Sequence, residues 1–164
     1  MLGADAMFRT LAIFVAGAVV GAPVGAFIWY AFSPLLFDEV VVETLAEAQV
    51  VASGNFRDAD RAHQGSGIAD IVALAGGGHE VQLREFQVTN GPDLEVWLST
   101  HPDPAKSSDV ANNEWVALGQ LKGNIGDQAY SVPPEVDITA FQSVVIWCEQ
   151  FGVLFSPAAL SPAS

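Results

Sequence analysis

An antiparallel β-sandwich carried on a single N-terminal membrane-spanning helix is the fold class this sequence predicts, and three observations predict it. No charged side chain occurs from Leu11 to Phe37. Beyond Phe37 the chain breaks into short β-branched and apolar runs separated by Gly, Pro and Asn at close intervals, none keeping a helix-length period. That remainder is 127 residues, the usual size of one domain, with no internal repeat.

Residues 1–10 read as a short cytoplasmic N-terminus and 11–37 as the membrane helix. Its 27 residues reach about 40 Å at a rise of about 1.5 Å each, against a hydrocarbon core of about 30 Å. Ser33-Pro34 is the expected stop. Phe27, Ile28, Trp29 and Tyr30 stand where a signal peptidase would need small residues, so the segment reads as an uncleaved anchor. Arg9 precedes it, while Asp38, Glu39, Glu43 and Glu47 follow with no base before Arg57. The positive-inside rule then puts the N-terminus in the cytoplasm and the C-terminal domain outside, with Trp29 and Tyr30 at the outer interface. Gly17, Gly21 and Gly25 recur every fourth residue beside Ala18 and Ala22. They line one helix face on which a partner helix can pack closely, and Pro23 is expected to kink it.

Residues 38–49 read as a juxtamembrane stalk, because Val40, Val41, Leu45 and Ala48 mixed with Glu43 and Glu47 suit a short helix or a linker. Residues 50–164 form the β domain. Ser66–Leu74 is a strand, Gly76-Gly77-Gly78 a tight reversal, and Glu80–Val88 the returning strand. Val81 and Leu83 share one parity while Phe86 and Val88 share the other, so a bulge near Arg84-Glu85 is needed to bring all four to the core. Asn90-Gly91-Pro92-Asp93 is turn chemistry. Leu94, Val96 and Leu98 then alternate with Glu95, Trp97 and Ser99, which predicts one dry and one wet face, with Trp97 and Trp115 as solvent-facing docking aromatics. His101–Asn113 is polar and contains Pro102 and Pro104, hence a loop. Trp115–Leu121, Tyr130–Val132, Phe141–Trp147 and Val153–Phe155 read as strands, the last two joined around Gly152.

The net charge is −13. Past the anchor, 18 acids face 5 bases, which disfavours phosphate backbones and anionic lipid heads, so nucleic acid is excluded as a partner class. The partners that remain are the bilayer and a membrane protein packed on the helix.

Cys148 is the sole cysteine, so no intramolecular disulfide exists. It shares parity with Val144 and Ile146, which points it at the core, with Trp147 on the opposite face. An inert core thiol, a redox or ligand thiol and an intermolecular disulfide are its three readings. Cupredoxin-type copper is excluded because no His follows Cys148 and the only methionines are Met1 and Met7. Covalent haem lacks its Cys-x-x-Cys-His. Non-covalent haem on Cys148 with His63 opposite stays open. His63 reads first as a loop residue bonded to backbone and only second as a ligand. Zinc would require His63, His79 and His101 to converge on Cys148, and Asp58-x-Asp60 is only a fragment of a calcium loop, so no metal site is assigned. Ser66 in Gly65-Ser66-Gly67 falls short of a nucleophile elbow, no carboxylate pair stands out, and no catalytic set is complete.

Several residues together resemble the DM-thirteen domain family of secreted or membrane-tethered β-domains: Gly54 and Phe56; His63 with Ser66-Gly67; Phe86; Gly91-Pro92-Asp93-Leu94 with Val96; Leu118-Gly119, Leu121-Lys122-Gly123, Gly126 and Tyr130. The C-terminal block Trp147-Cys148, Phe151, Val153, Phe155, Ala158 and Leu160 is the most specific part. The resemblance implies an electron-transfer role centred on Cys148, as a free thiol or as ligand to a prosthetic group. The alternative is a non-catalytic accessory subunit held in a membrane complex by its Gly-faced helix.

Overall fold

The computed structural model describes residues 3–32 and 37–163, the side chains of residues 4, 5 and 30–32 excepted. The Ser33-Pro34 stop and the Tyr30 ring therefore lie outside the described residues. The chain divides into two units between Leu36 and Phe37.

The first unit holds α1, Ala4–Phe32. It starts seven residues before Leu11, so Arg9 belongs to the helix and not to a leading tail. The carbonyl of Gly3 accepts from the amides of Ala6 and Met7 at the helix start, and the Thr10 hydroxyl donates to the Ala6 carbonyl at 2.9 Å. Residues Ala6–Trp29, 24 in number, rise about 36 Å, which is enough to cross a bilayer. Pro23 lies inside this helix.

The second unit is a β-sandwich of two antiparallel sheets. Its strands are β1 (Gln49–Asn55), β2 (Gly65–Ala73), β3 (His79–Val88), β4 (Leu94–Ser99), β5 (Trp115–Gln120), β6 (Gln128–Val132), β7 (Ser143–Cys148), β8 (Val153–Ala159) and β9 (Ser161–Pro162). The sheets have the orders β6-β3-β2-β1-β9 and β5-β4-β7-β8. Between them lies one apolar core, to which the first sheet gives Ala69, Ile71, Val81, Leu83, Phe86, Val88 and Tyr130. The second sheet gives Leu94, Val96, Leu98, Val144, Ile146, Cys148 and Phe155.

The expected bulge is present. Ser66 pairs with Gln87 and Ile68 with Arg84, so Glu85 and Phe86 together oppose Gly67, and Glu85 takes a left-handed φ of 49°. Val81, Leu83, Phe86 and Val88 are all buried as a result. β1 begins at Gln49, the last residue of the expected stalk; pairing with β2 from Gln49 to Asn55 outweighs the mixed local pattern.

Residues 37–48 are neither helix nor free stalk. Val41 donates to the Ile125 carbonyl and Glu43 to the Asp127 carbonyl, both at 2.9 Å, and Gln82 donates to the Ala46 carbonyl. Lys122 bonds both Glu43 oxygens at 2.8 and 2.9 Å and lies over the Tyr130 ring, and Lys122 holds the Glu43 carboxyl below its usual range. Burial pushes the Tyr130 hydroxyl up to about 12 while it donates to Gln128. The segment is thus a strap laid on the sandwich.

β4 has no wet face. A second apolar cluster of Trp97, Val110, Val145, Trp147 and Leu154 covers the outside of the four-stranded sheet. Val110 comes from α2 (Ser107–Ala111), a helical turn inside the expected loop, which Ser107 ties to the Leu154 amide at 3.0 Å.

Gly126 has φ 107°, and a Cβ there would run into the Val41 carbonyl. Gly126→Ala is expected to expel residues 39–43 at a cost of about 1–3 kcal/mol. Hydrogen exchange checks this: the Val41 and Glu43 amides should lose protection while those of β7 keep it.

Candidate functional site

Cys148 ends β7, paired on one side with Leu94 of β4 and on the other with Val153 of β8. Alternation along β7 points it inward with Val144 and Ile146, and it is fully buried. Its thiol donates to the carbonyl of Pro92 at 2.9 Å. That carbonyl belongs to the turn Asn90-Gly91-Pro92-Asp93, which carries the chain from β3 in one sheet to β4 in the other. Pro92 fixes its own φ, and Asp93 holds a left-handed φ of 55°, a conformation Asp tolerates better than most. The Asp93 carbonyl in turn accepts from the Glu149 amide at 3.0 Å. Hairpin β7–β8 and turn 90–93 therefore clasp each other around the sulfur.

Burial pushes the Cys148 thiol up from its ordinary value of 9.0. The charge of Asp93 adds to this, while the amides of Phe151 and Gln150 act against it. A thiol that is closed to water and held protonated is a poor nucleophile.

His63 does not meet Cys148. Its Nδ1 lies 2.8 Å from Asp60 Oδ2, its amide donates to Asp60 Oδ1, and its ring packs on Phe155 with centroids 4.3 Å apart. Hydrogen bonds from the His63 ring and amide hold the Asp60 carboxyl below its usual range. Phe155 approaches Gly91, where a Cβ would lie 2.7 Å from the ring. His63 and Cys148 thus sit on the same turn through different residues.

His79 opens β3 beside Ala73 and Val132, at the end of the sheet away from Val88 and the turn. His101 is near the start of β7, where Ser143 donates to its carbonyl at 2.8 Å. These positions are set apart by the length of a strand from Cys148. A haem held by Cys148 with His63 opposite does not fit this arrangement. The macrocycle needs an open face at the sulfur, and the sulfur is packed in the inter-sheet core against Pro92. Asp58 and Asp60 are used inside their own loop, Asp58 accepting from Gly65 and Asp60 from Ala62 and His63.

Two groupings emerge that the strand pattern did not reveal. Asp93, Glu95 and Glu149 bring carboxylate oxygens within 4.8 Å of one another at the mouth of the clasp. The charge of Glu95 raises the Glu149 carboxyl above its usual range. The second grouping is the stack of Trp115, Trp97 and Trp147 on the outer face. Parity announces that Trp97 and Trp147 face away from Leu94 and Cys148; only the register of β5, β4 and β7 puts the three rings in contact.

The raised thiol predicts a pH effect. Protonated Cys148 stabilises the fold fully below the ordinary thiol value, and that contribution is lost as pH rises through the higher folded value. The thermal midpoint of the wild-type chain should therefore fall relative to that of Cys148→Ala as pH climbs above 9.0. A constant difference between the two would contradict a buried, protonated thiol.

No curated protein and no solved structure matches the chain. The family model described as Electron transfer DM13 matches residues 55–160, which runs from the last residue of β1 to the residue after β8 and includes strands β2 to β8, the clasp and the stack. The chain belongs to the DM13 electron-transfer family.

Proposed function

We propose that the chain is a single-pass membrane protein whose extracytoplasmic β domain transfers electrons, with Cys148 as a guarded thiol that is oxidised only when the turn 90–93 opens. The family match over residues 55–160 carries the electron-transfer reading. The apolar span Ala6–Trp29 supports the anchor, and Arg9 before it with Asp38, Glu39, Glu43 and Glu47 after it supports the orientation. Support for Cys148 comes from the clasp: the turn 90–93 covers the sulfur through its Pro92 carbonyl, so displacing that turn removes one of the covers over the thiol. Once open, the thiol loses its proton to water, and the thiolate gives one electron to a metal-complex oxidant, which is reduced by one unit and leaves a thiyl radical on Cys148.

Gly91 makes this testable. Gly91→Ala presses a methyl group on Phe155 and Leu94. Overpacking of about 1–3 kcal/mol, relieved by opening the turn, raises the open population about 5–150-fold. Ferricyanide consumption by the detergent-solubilised chain should be slow for wild type, faster by that factor for Gly91→Ala, and absent for Cys148→Ala. Equal consumption by wild type and Cys148→Ala would remove the thiol from the mechanism.

The anchor supports a companion reading, attachment to a membrane complex. Cβ atoms added at Gly17, Gly21 or Gly25 would meet nothing within 4 Å, so this face is open to a second helix. Gly21→Ile should release membrane proteins that co-purify with the wild-type chain, as read by quantitative mass spectrometry after mild detergent extraction. Unchanged co-purification would count against packing through this face.

A further inference from the structure

The outer face of the four-stranded sheet holds three of the chain's four tryptophans in one continuous stack. Trp115 and Trp97 have centroids 4.0 Å apart at 16° between planes, and Trp97 and Trp147 have centroids 5.2 Å apart at 29°. The rings come from β5, β4 and β7, three neighbouring strands, so the stack runs across the sheet. Exposure falls along it, from 45% at Trp115 to 5% at Trp97 and 4% at Trp147. A cluster built for packing alone has no need of overlapping aromatic planes graded from water to interior. Indole is also one of the few side chains able to give up one electron to a strong oxidant.

A base stands ready at the middle ring. Trp97 Nε1 donates to Glu95 Oε2 at 2.6 Å, a short charge-assisted bond. Glu95 belongs to the grouping with Asp93 and Glu149 at the mouth of the clasp. An indole radical cation is a strong acid, and here its acidic proton already points at a carboxylate.

We infer that Trp115, Trp97 and Trp147 form a one-electron relay in which an oxidant docked at exposed Trp115 draws its electron from buried Trp97, whose Nε1 proton passes to Glu95. The oxidant is a high-potential one-electron acceptor, such as a high-valent metal complex or an oxyl radical. It takes one electron from Trp115 and is reduced by one unit. Trp97 refills Trp115 and becomes a radical cation; the proton moves from Nε1 to the Glu95 carboxylate, leaving a neutral Trp97 radical and a neutral carboxylic acid. Trp147 lies against Trp97 and shares the hole only at the radical-cation stage, before the Nε1 proton leaves. A hydroquinone-class donor at Trp115 returns the electron and becomes a semiquinone as its own proton passes to water, and Glu95 returns its proton to Trp97 Nε1. This inference rests on the electron-transfer reading of the domain but not on Cys148, which faces the opposite side of β7.

Flash-quench spectroscopy tests it on the full chain in detergent, in a Trp29→Phe background so that the helix tryptophan does not contribute. A photo-oxidised ruthenium polypyridyl complex serves as the oxidant. The parent should re-reduce the metal and show a long-lived neutral tryptophanyl radical whose formation slows in deuterated water. Trp97→Phe should lose the long-lived radical while Trp115 still reduces the metal. Glu95→Gln, a change at a partly exposed side chain, should lose the solvent isotope effect and leave the radical-cation spectrum. Trp115→Phe should lose fast metal re-reduction. The same radical yield, lifetime and isotope effect in the parent, Trp97→Phe and Glu95→Gln would overturn the relay. Ferricyanide is too weak to oxidise indole, so the Cys148 experiment and this one fail independently, and a parent that returns no electron in either assay would remove the electron-transfer reading itself.

Discussion

Two residues opposing one, at Glu85-Phe86 across from Gly67, set the phase of the sandwich. A strand presents alternate residues to opposite faces, so without the bulge Phe86 and Val88 would face outward while Val81 and Leu83 faced inward. The extra residue keeps all four in the core and delivers the chain to the turn 90–93 at the level where β4 enters the second sheet. From there pairing carries the phase across, from Leu94 to Cys148 and from Glu95 to Trp147. The inward thiol and the outward indole, adjacent in sequence, are separated onto two faces by that one register.

The two faces have different chemistry because they have different covers. Cys148 is closed by the opposing sheet and by a carbonyl acceptor, so its thiol form is stabilised twice, by low polarity and by a hydrogen bond. The tryptophan face is closed by one helical turn and a loop, which bury Trp97 and Trp147 but stop short of Trp115. The result is a domain whose sulfur is shielded from solution and whose aromatic stack reaches the surface.

Charge works around this frame more than within it. Arg57 pairs with Asp103, Lys106 with Asp109 and Lys122 with Glu43, all at least partly wet, where each pair stabilises by about 0–1 kcal/mol. Asp70 is the exception, being buried. Arg84 bonds it at 2.6 and 2.7 Å and Ser53 at 2.6 Å, so its charge is fully partnered across β1, β2 and β3. Lys122 contributes through position: it joins the strap, the Tyr130 ring and the Ala129 carbonyl at one point.

By itself the sequence determined the features that depend on local chemistry. Uninterrupted apolar composition makes α1, period-two alternation makes the strands and aims Cys148 inward, and the parity slip demands the bulge. Turn residues mark 90–93. Each of these follows from a few neighbouring residues, since backbone geometry repeats every 2 or 3.6 positions. Tertiary structure alone decided what depends on partners distant in the chain. Gln49 became strand because β2 lies beside it; residues 37–48 became a strap because Gly126 leaves room for the Val41 carbonyl. His63 went to Phe155 and Asp60, not to the thiol, and Trp97, read as wet, was covered by Val110. Burial of an outer sheet face is set by whatever loop folds over it, and contact between rings on three strands is set by register, so neither leaves a local signature in the sequence.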